Sequence, residues 1–521
     1  METPMNFPKI LSQSLSLTDI LGDEYISCVI AARSAVTGQP VEEFERLAEK
    51  KVELFPESFA RRQDELLSLV GKKVCDSFIH SASGAATASF KQATNTQAAP
   101  VNGFGFIRIG EDGRAYLTSK SEHYHASLGH SFPGFELLTI ARTLGIDNMA
   151  HNNYRGNIER TLEEELIRLA NGIKKGDRPA LEAAIVSREP HVLNRIINLQ
   201  TGSLVVEAAL KMALARFYPQ EDSEATVPYG GKTPVILVIG DNDGGLGANY
   251  HGITILTQMM RGVWPSFYRR LEEAGIFVVK PVSINDIDHF KRQVETYDSG
   301  KYKVAAFFHE IVLMNYGGIK LDKEYLQAAY QICHEHDIPV VADEIQSCVW
   351  YPGLFLFREY GLRPDFVSVG KGFPGGQYSA SKIITTAPLD NLSQFGALVT
   401  NGQEDLAALS YLITIAFAEA NEGYTTAVGT YYENELKKLA KRYPDTVMKI
   451  EGLRHLSAVF FHDPRKTVSF CSRLNERGID ISAHTYKANC PPSALTKLPL
   501  TTSPTMVDFL VRSMDEVLKT L

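Results

Sequence analysis

Positive charge is in short supply here. The chain carries 53 lysines and arginines against 61 aspartates and glutamates, a net charge of −8 with a pI near 6.0. A polyanion-binding protein usually shows the opposite balance, so nucleic acid is not expected as a partner. Cysteine is sparse as well. Cys28, Cys75, Cys333, Cys348, Cys471 and Cys490 form no CxxC pair and no metal-type spacing. That excludes a disulfide scaffold or a zinc ribbon and predicts reduced thiols in a cytoplasmic protein. No apolar run reaches the roughly 18 residues of a membrane helix. The N-terminus METPMNFPKILSQS lacks a basic stretch followed by an apolar block, so no signal peptide is expected. Histidines are scattered; His123 and His125 alternate as on a strand with no carboxylate or cysteine clearly in reach, and no metal site is expected. What remains is an ordinary globular composition, 521 residues with 44% apolar and 22% charged. A chain of that length buries a large core and divides into more than one domain.

Organisation changes along the chain. Val41 to Val74 places Phe44, Leu47, Val52, Leu54, Leu66, Leu67 and Val70 at helical spacing among charges, which predicts amphipathic helices. Ser81 to Pro100 is small and polar and reads as a linker. FGFIRIGEDGRAYL then predicts a β-hairpin turned by Asp112-Gly113. Helices are expected at Leu162–Ile173 and Val205–Phe217. Buried strands are expected at Val235–Ile239, Ile276–Val279, Val304–Phe308 and Ile338–Ala342, with a helix at Leu326–His336. Continuous apolar strands alternating with helices predict an α/β fold, a mainly parallel sheet covered by helices. From about 403 the chain turns helical and ends in an α+β tail with a helix at Met506–Leu521.

Chemistry concentrates at two places. IPVVADEIQS sets Asp343 at the carboxyl end of a strand, where open α/β sheets carry their functional groups. An acid there needs a cation or a donor; a helix cap is the plain alternative. SVGKGFPGGQYSASK flanks Lys371 with glycines, which let backbone approach a ligand; a surface turn is the plain alternative. The GxxxxGK[ST] phosphate loop is absent. A lysine that forms a Schiff base, with an acid that keeps a pyridinium nitrogen protonated, is the minimum set for pyridoxal phosphate chemistry.

VVADEIQS, with GLRPDFVSVGKGFPGG beginning 18 residues after Asp343, resembles the class III (ω-type) aminotransferases of PLP fold type I. The resemblance runs from about Gly103 to the C-terminus. It implies the first part of a small domain at 103–160, a large cofactor-binding domain at 161–402 and the C-terminal small domain at 403–521, and it leaves the helical extension and linker at 1–102 outside the family pattern. The cofactor implied is pyridoxal 5'-phosphate, held by Lys371 with Asp343 on its ring nitrogen. LQTGSLVVEAALKMA is similar to the family's phosphate-cradling segment, which makes Thr201, Gly202 and Ser203 cofactor residues at a helix N-terminus. Asn249-Tyr250-His251-Gly252 resembles the aromatic-His-Gly motif, with Tyr250 stacked on the ring and His251 nearby. Gln346 matches the contact to the phenolic oxygen. Val399-Thr400-Asn401-Gly402 matches the stretch whose threonine reaches a neighbouring subunit's phosphate, which implies a homodimer with shared active sites. Glu310, in the FFHE segment, matches a glutamate that gates the substrate site in several members. The implied reaction moves an amino group between an amine or amino acid and an oxo acid. Lys371 shuttles the proton as base and acid.

Three departures bear on substrate. Tyr351 stands where the family's GRTG carries arginine. Leu495-Thr496-Lys497-Leu498-Pro499-Leu500 has no arginine to form a bidentate fork with a carboxylate. Leu204 and Val206 replace the Glu and Asn of the phosphate segment. Two other readings follow: an aminomutase, racemase, epimerase or decarboxylase of the same fold, or a nucleotide-binding or non-catalytic protein using the stretch Gly240 to Gly247. That stretch lacks GxGxxG spacing.

Overall fold

A computed structural model describes residues 7–119, 126–149, 153–221, 227–240, 264–394, 396–397, 399, 401–485 and 490–521. The chain forms two compact units, each discontinuous in sequence. The larger takes Ser16–Lys50 and Leu137–Glu422; the smaller takes Met1–Leu15, Lys51–Glu136 and Gly423–Leu521.

A seven-stranded sheet is the centre of the larger unit. Its strands are β1 (Leu193–Leu199), β2 (Thr233–Ile239), β3 (Val278–Val282), β4 (Tyr302–His309), β5 (Val340–Asp343), β6 (Phe366–Val369) and β7 (Ser381–Thr386). They lie in the order β1-β7-β6-β5-β4-β2-β3. Pairing is parallel throughout β6-β5-β4-β2-β3, and β7 alone runs antiparallel to both its neighbours. Every residue of β2, β5 and β6 is buried, as near-continuous apolar runs in a covered parallel sheet require. The helices that pack around it include α1 (Asn157–Ala170), α2 (Gly202–Leu214), α3 (Lys323–Glu335) and α4 (Asp405–Ala420). Helix α2 packs on β7, β6 and β4, and α1 packs on β1 and α4.

The four expected strands are present, with ends that differ by up to three residues. β1 and β7 escape a reading by apolar run, because LNRIINL and SKIITT mix polar residues into buried strands. The reason is a buried polar network. Lys382 on β7 is 1% exposed, yet its Nζ lies 3.1 Å from Glu159 Oε2 on α1 and 2.7 Å from Asn198 Oδ1 on β1. It also sits over the Tyr411 ring of α4, 5.5 Å from the centroid. A charge is tolerated at that depth only because the partners are there. Burial pushes the Glu159 carboxyl up to about 7.

In the smaller unit the expected hairpin forms from Ile107–Gly110 and Ala115–Thr118, with Gly113 at φ +76° in its turn. Pro100–Phe104 adds a third strand, and Ile479–Asp480 pairs in parallel with Ala115–Thr118. The stretch expected to be a linker holds a short helix, Ala88–Ala93, capped by the Thr87 hydroxyl. The amphipathic stretch is helical at Val41–Ala48, which belongs to the larger unit, and at Glu57–Glu65 in the smaller. Val52–Glu53 between them instead pairs antiparallel with Ser14–Leu15, because Val52 and Leu54 are buried by strand contacts that helical spacing does not register. A second antiparallel sheet joins Val447–Leu453, Leu456–Phe461, Ser493–Lys497 and Ser482–His484. Its core gathers Val428, Tyr432, Phe461, Phe470, Leu510 and Met514. Among the described residues no helix is long and apolar enough to cross a membrane.

Candidate active site

The carboxyl edge of the central sheet collects Asp343, Lys371, Thr201, Gly202, Ser203, Glu310 and Gln346. β5 ends on Asp343, whose register partner on β6 is Ser368. Lys371 lies three residues past Ser368, in the turn that leaves β6. Helix α2 begins two residues after β1 ends, so Thr201, Gly202 and Ser203 stand at the same edge. Glu310 follows directly on β4, and Gln346 lies in the turn after β5. Parallel strands in one register bring these separated segments to one line.

Asp343 is buried. Its Oδ1 accepts the Ser368 hydroxyl at 2.8 Å and the Ile345 N–H at 3.0 Å. Two donors on one oxygen fix the plane of the carboxylate and offset part of its lost hydration. Lys371 is half-buried and has φ +28°. A lysine in that region costs about 1–3 kcal/mol and persists only where its surroundings hold it. Before it, Gly370 sits where no side chain fits. A Cβ there would stand 2.3 Å from Ser381 Oγ and 3.0 Å from Ile345 Cδ1. Thr201 occupies the N-cap of α2 with extended backbone, and its side chain makes no capping hydrogen bond. The N–H groups of a helix's first turn have no intrahelical partner, which is the general chemistry of anion-binding helix ends.

Glu310 and Tyr351 are placed differently. One oxygen of the buried Glu310 carboxylate accepts the Met314 N–H at 2.9 Å, closing its own turn. Tyr351 is buried at the start of the turn Pro352–Leu354. Tyr250, His251 and Thr400 lie outside the described residues, as does most of Gly240 to Gly247.

The family model for class III aminotransferases matches residues 88–490. The chain belongs to that family. Among its relatives are putrescine aminotransferase of Pectobacterium atrosepticum, 25% identical over 397 residues, covering 74% of this chain and 80% of that protein. Acetylornithine aminotransferase of Aquifex aeolicus is 23% identical over 346 residues, 66% of this chain and 79% of that protein. The fold is also that of a transaminase from the marine bacterium Virgibacillus, with a TM-score of 0.65 at 18% identity, over 89% of this chain and 99% of the other. Ornithine δ-aminotransferase of Plasmodium falciparum superposes with a TM-score of 0.61 at 17% identity, over the same shares. This class III aminotransferase is therefore a transaminase of PLP fold type I, and its cofactor is pyridoxal 5'-phosphate.

The residues present fit that cofactor. A lysine supplies the amine, a buried and doubly hydrogen-bonded carboxylate suits a pyridinium nitrogen, and an uncapped helix end suits a phosphate.

Sequence reasoning missed two neighbours. Ser368 is fully buried in β6 and orients Asp343; a lone hydroxyl inside the run FVSV was the available signal. Glu344 is buried beside Asp343, accepting the Phe357 N–H at 2.6 Å and the Ser347 hydroxyl. Burial pushes its carboxyl up to about 7. The Asp-Glu pair pointed to it, but only the fold shows the two acids turned to different partners.

Proposed function

We propose that Lys371 and Asp343 carry the amino-group transfer of this class III aminotransferase, and that the donor is a primary amine not gripped through a carboxylate fork. The observation that carries this is the register pair Asp343–Ser368, with Lys371 three residues further on at the same sheet edge. Pyridoxal phosphate, when bound, supplies an electron sink for the charge left at the donor's α-carbon. The chain's residues do the rest. Lys371 holds the cofactor through its amine; once displaced, Nζ takes the α-proton as base and returns it as acid. Asp343, oriented by Ser368 and the Ile345 N–H, keeps the ring nitrogen protonated. Thr201, Gly202 and Ser203 bind phosphate, and Gln346 contacts the phenolic oxygen. Tyr250 and His251 complete the ring's surroundings, as the family pattern implies. Tyr351 occupies the position of a family arginine, and Glu310 borders the substrate side. The relatives named for putrescine and ornithine support a donor with an amine at the end of a chain.

The protein acts as a homodimer, each Thr400 reaching the phosphate of the other subunit. It works in the cytoplasm, a reading supported by the sparse cysteines with no CxxC or metal-type spacing.

Absorption spectra of the purified enzyme, with a panel of amines and amino acids and beside Lys371→Ala, test this. The expected result is a long-wavelength cofactor band that the variant lacks and that a terminal amine bleaches. A band present in both proteins would remove Lys371 from its role. A band that no donor bleaches would favour a mutase, racemase or decarboxylase. Mixing Lys371→Ala with Thr400→Ala subunits tests the shared site: partial recovery of turnover is expected, and none would overturn it.

A further inference from the structure

The amino edge of the central sheet, at the end remote from Lys371, carries a second cluster. His191 stands just before β1, Asp365 just before β6, and His334 in the last turn of α3. One ring nitrogen of each histidine and one carboxylate oxygen of Asp365 all lie within 4.8 Å of one another. We infer that His191, His334 and Asp365 form a binding site for a divalent first-row transition metal of the zinc type, which ties the starts of two strands to the end of a helix.

Four observations support it. A tetrahedral zinc with ligand bonds of about 2.0–2.1 Å sets its donors roughly 3.3 Å apart, and small side-chain rotations bring these three to that spacing. His191 Nδ1 already lies 3.0 Å from Asp365 Oδ1. That contact does not satisfy the ring: Nδ1 is buried and makes no hydrogen bond. Second, the outer contacts are those of metal ligands. Asp365 Oδ2 accepts the Val340 N–H at 2.8 Å, and His334 Nε2 lies 3.2 Å from the Arg363 carbonyl oxygen. Such partners fix ring and carboxylate orientation and the tautomer. Third, the two imidazole rings are 4.0 Å apart. Rings this close, tilted by 36°, hold a nitrogen of each within reach of one ion. Fourth, His191 has φ +63°, a left-handed backbone that persists only where the surroundings hold it.

The cluster opens on a groove of about 580 Å³, where water supplies a fourth ligand. Arg216 also lines that groove, but its guanidinium is taken by Asp337. The site shares no residue with the catalytic edge, so the ion takes no part in the amino-group transfer. Its failure would leave the assignment of Lys371 and Asp343 untouched.

The test uses the full-length, cofactor-loaded enzyme after chelator treatment. Zinc is titrated calorimetrically, melting is followed with and without zinc, and cobalt(II) replaces zinc for visible spectroscopy. The variants are His191→Asn, which suits a left-handed backbone, His334→Gln, and both together. Circular dichroism and cofactor absorbance confirm their folding. One equivalent of zinc, a raised melting temperature and a tetrahedral cobalt spectrum are expected. Each single variant is expected to lose more affinity than the roughly 10–100-fold that removal of an outer partner costs. Absence of stoichiometric zinc would overturn the site. So would equal binding by the double variant, which would assign the zinc to other donors such as the exposed Cys28 and Cys75. If the variants misfold, the cobalt spectrum of the unmutated enzyme decides, and weak octahedral bands overturn the proposal.

Discussion

The Ser368 hydroxyl donates a 2.8 Å hydrogen bond to Asp343 Oδ1 across the register of two adjacent parallel strands. The bond is buried and charge-assisted, so its partner's orientation depends on it more than a surface bond would.

Ser368→Ala therefore weakens catalysis without removing the acid. A hydrogen bond to a charged group contributes about 1.5–3 kcal/mol, which is roughly 10–100-fold. The expected outcome is a fall of that size in kcat/KM with the cofactor still bound, and Ser368→Thr restoring part of it. Unchanged kinetics in Ser368→Ala would mean that the Ile345 N–H alone orients the carboxylate.

Thr201 gives the opposite kind of signature. An N-cap threonine usually contributes about 1 kcal/mol of stability through its cap bond, but here that bond is not made. Thr201→Ala is expected to leave the denaturation midpoint of the cofactor-free protein nearly unchanged while raising the dissociation constant for the cofactor. A clear loss of stability with unaltered cofactor affinity would assign Thr201 to the helix alone.

Gly370 is constrained by volume, since its φ is not in the left-handed region. Gly370→Ala forces a Cβ to within 2.3 Å of Ser381 Oγ; overpacking of this kind costs about 1–3 kcal/mol. The variant is expected to melt lower and to hold cofactor less well. Gly370→Ala with Ser381→Gly should recover both. A double variant no better than the single would show that the restriction lies elsewhere.

Glu344 predicts a pH dependence. Its folded carboxyl is raised to about 7 by burial, above the ordinary carboxylate value near 4.3. The folded state then holds its proton more tightly than the unfolded chain. That contribution to stability is complete below about pH 4.3 and is lost as pH rises to about 7. Glu344→Gln removes the titration. Its melting temperature relative to wild type should climb from pH 5 to pH 7 and level off above. Parallel curves for the two proteins would show that Glu344 stays ionised in the fold.

Sequence alone determined the class of the larger unit, because fully buried parallel strands must be apolar on both faces and four of them are. It also singled out Asp343 and Lys371, since an acid at the end of such a strand and a lysine between glycines are each costly without a purpose. The family motifs determined the chemistry. The tertiary structure decided which residues share an edge. Register set Ser368 against Asp343, and nothing local in either segment records that pairing. β1 and β7 were hidden for the same reason: Lys382 reads as a solvent residue until Glu159 and Asn198, far off in sequence, are brought to it. The same holds for His191, His334 and Asp365, three unremarkable residues that become a donor set only when the sheet is assembled. Local pattern is set by what each residue must bury; a site is set by which distant residues arrive together, and that is fixed only by the packed fold.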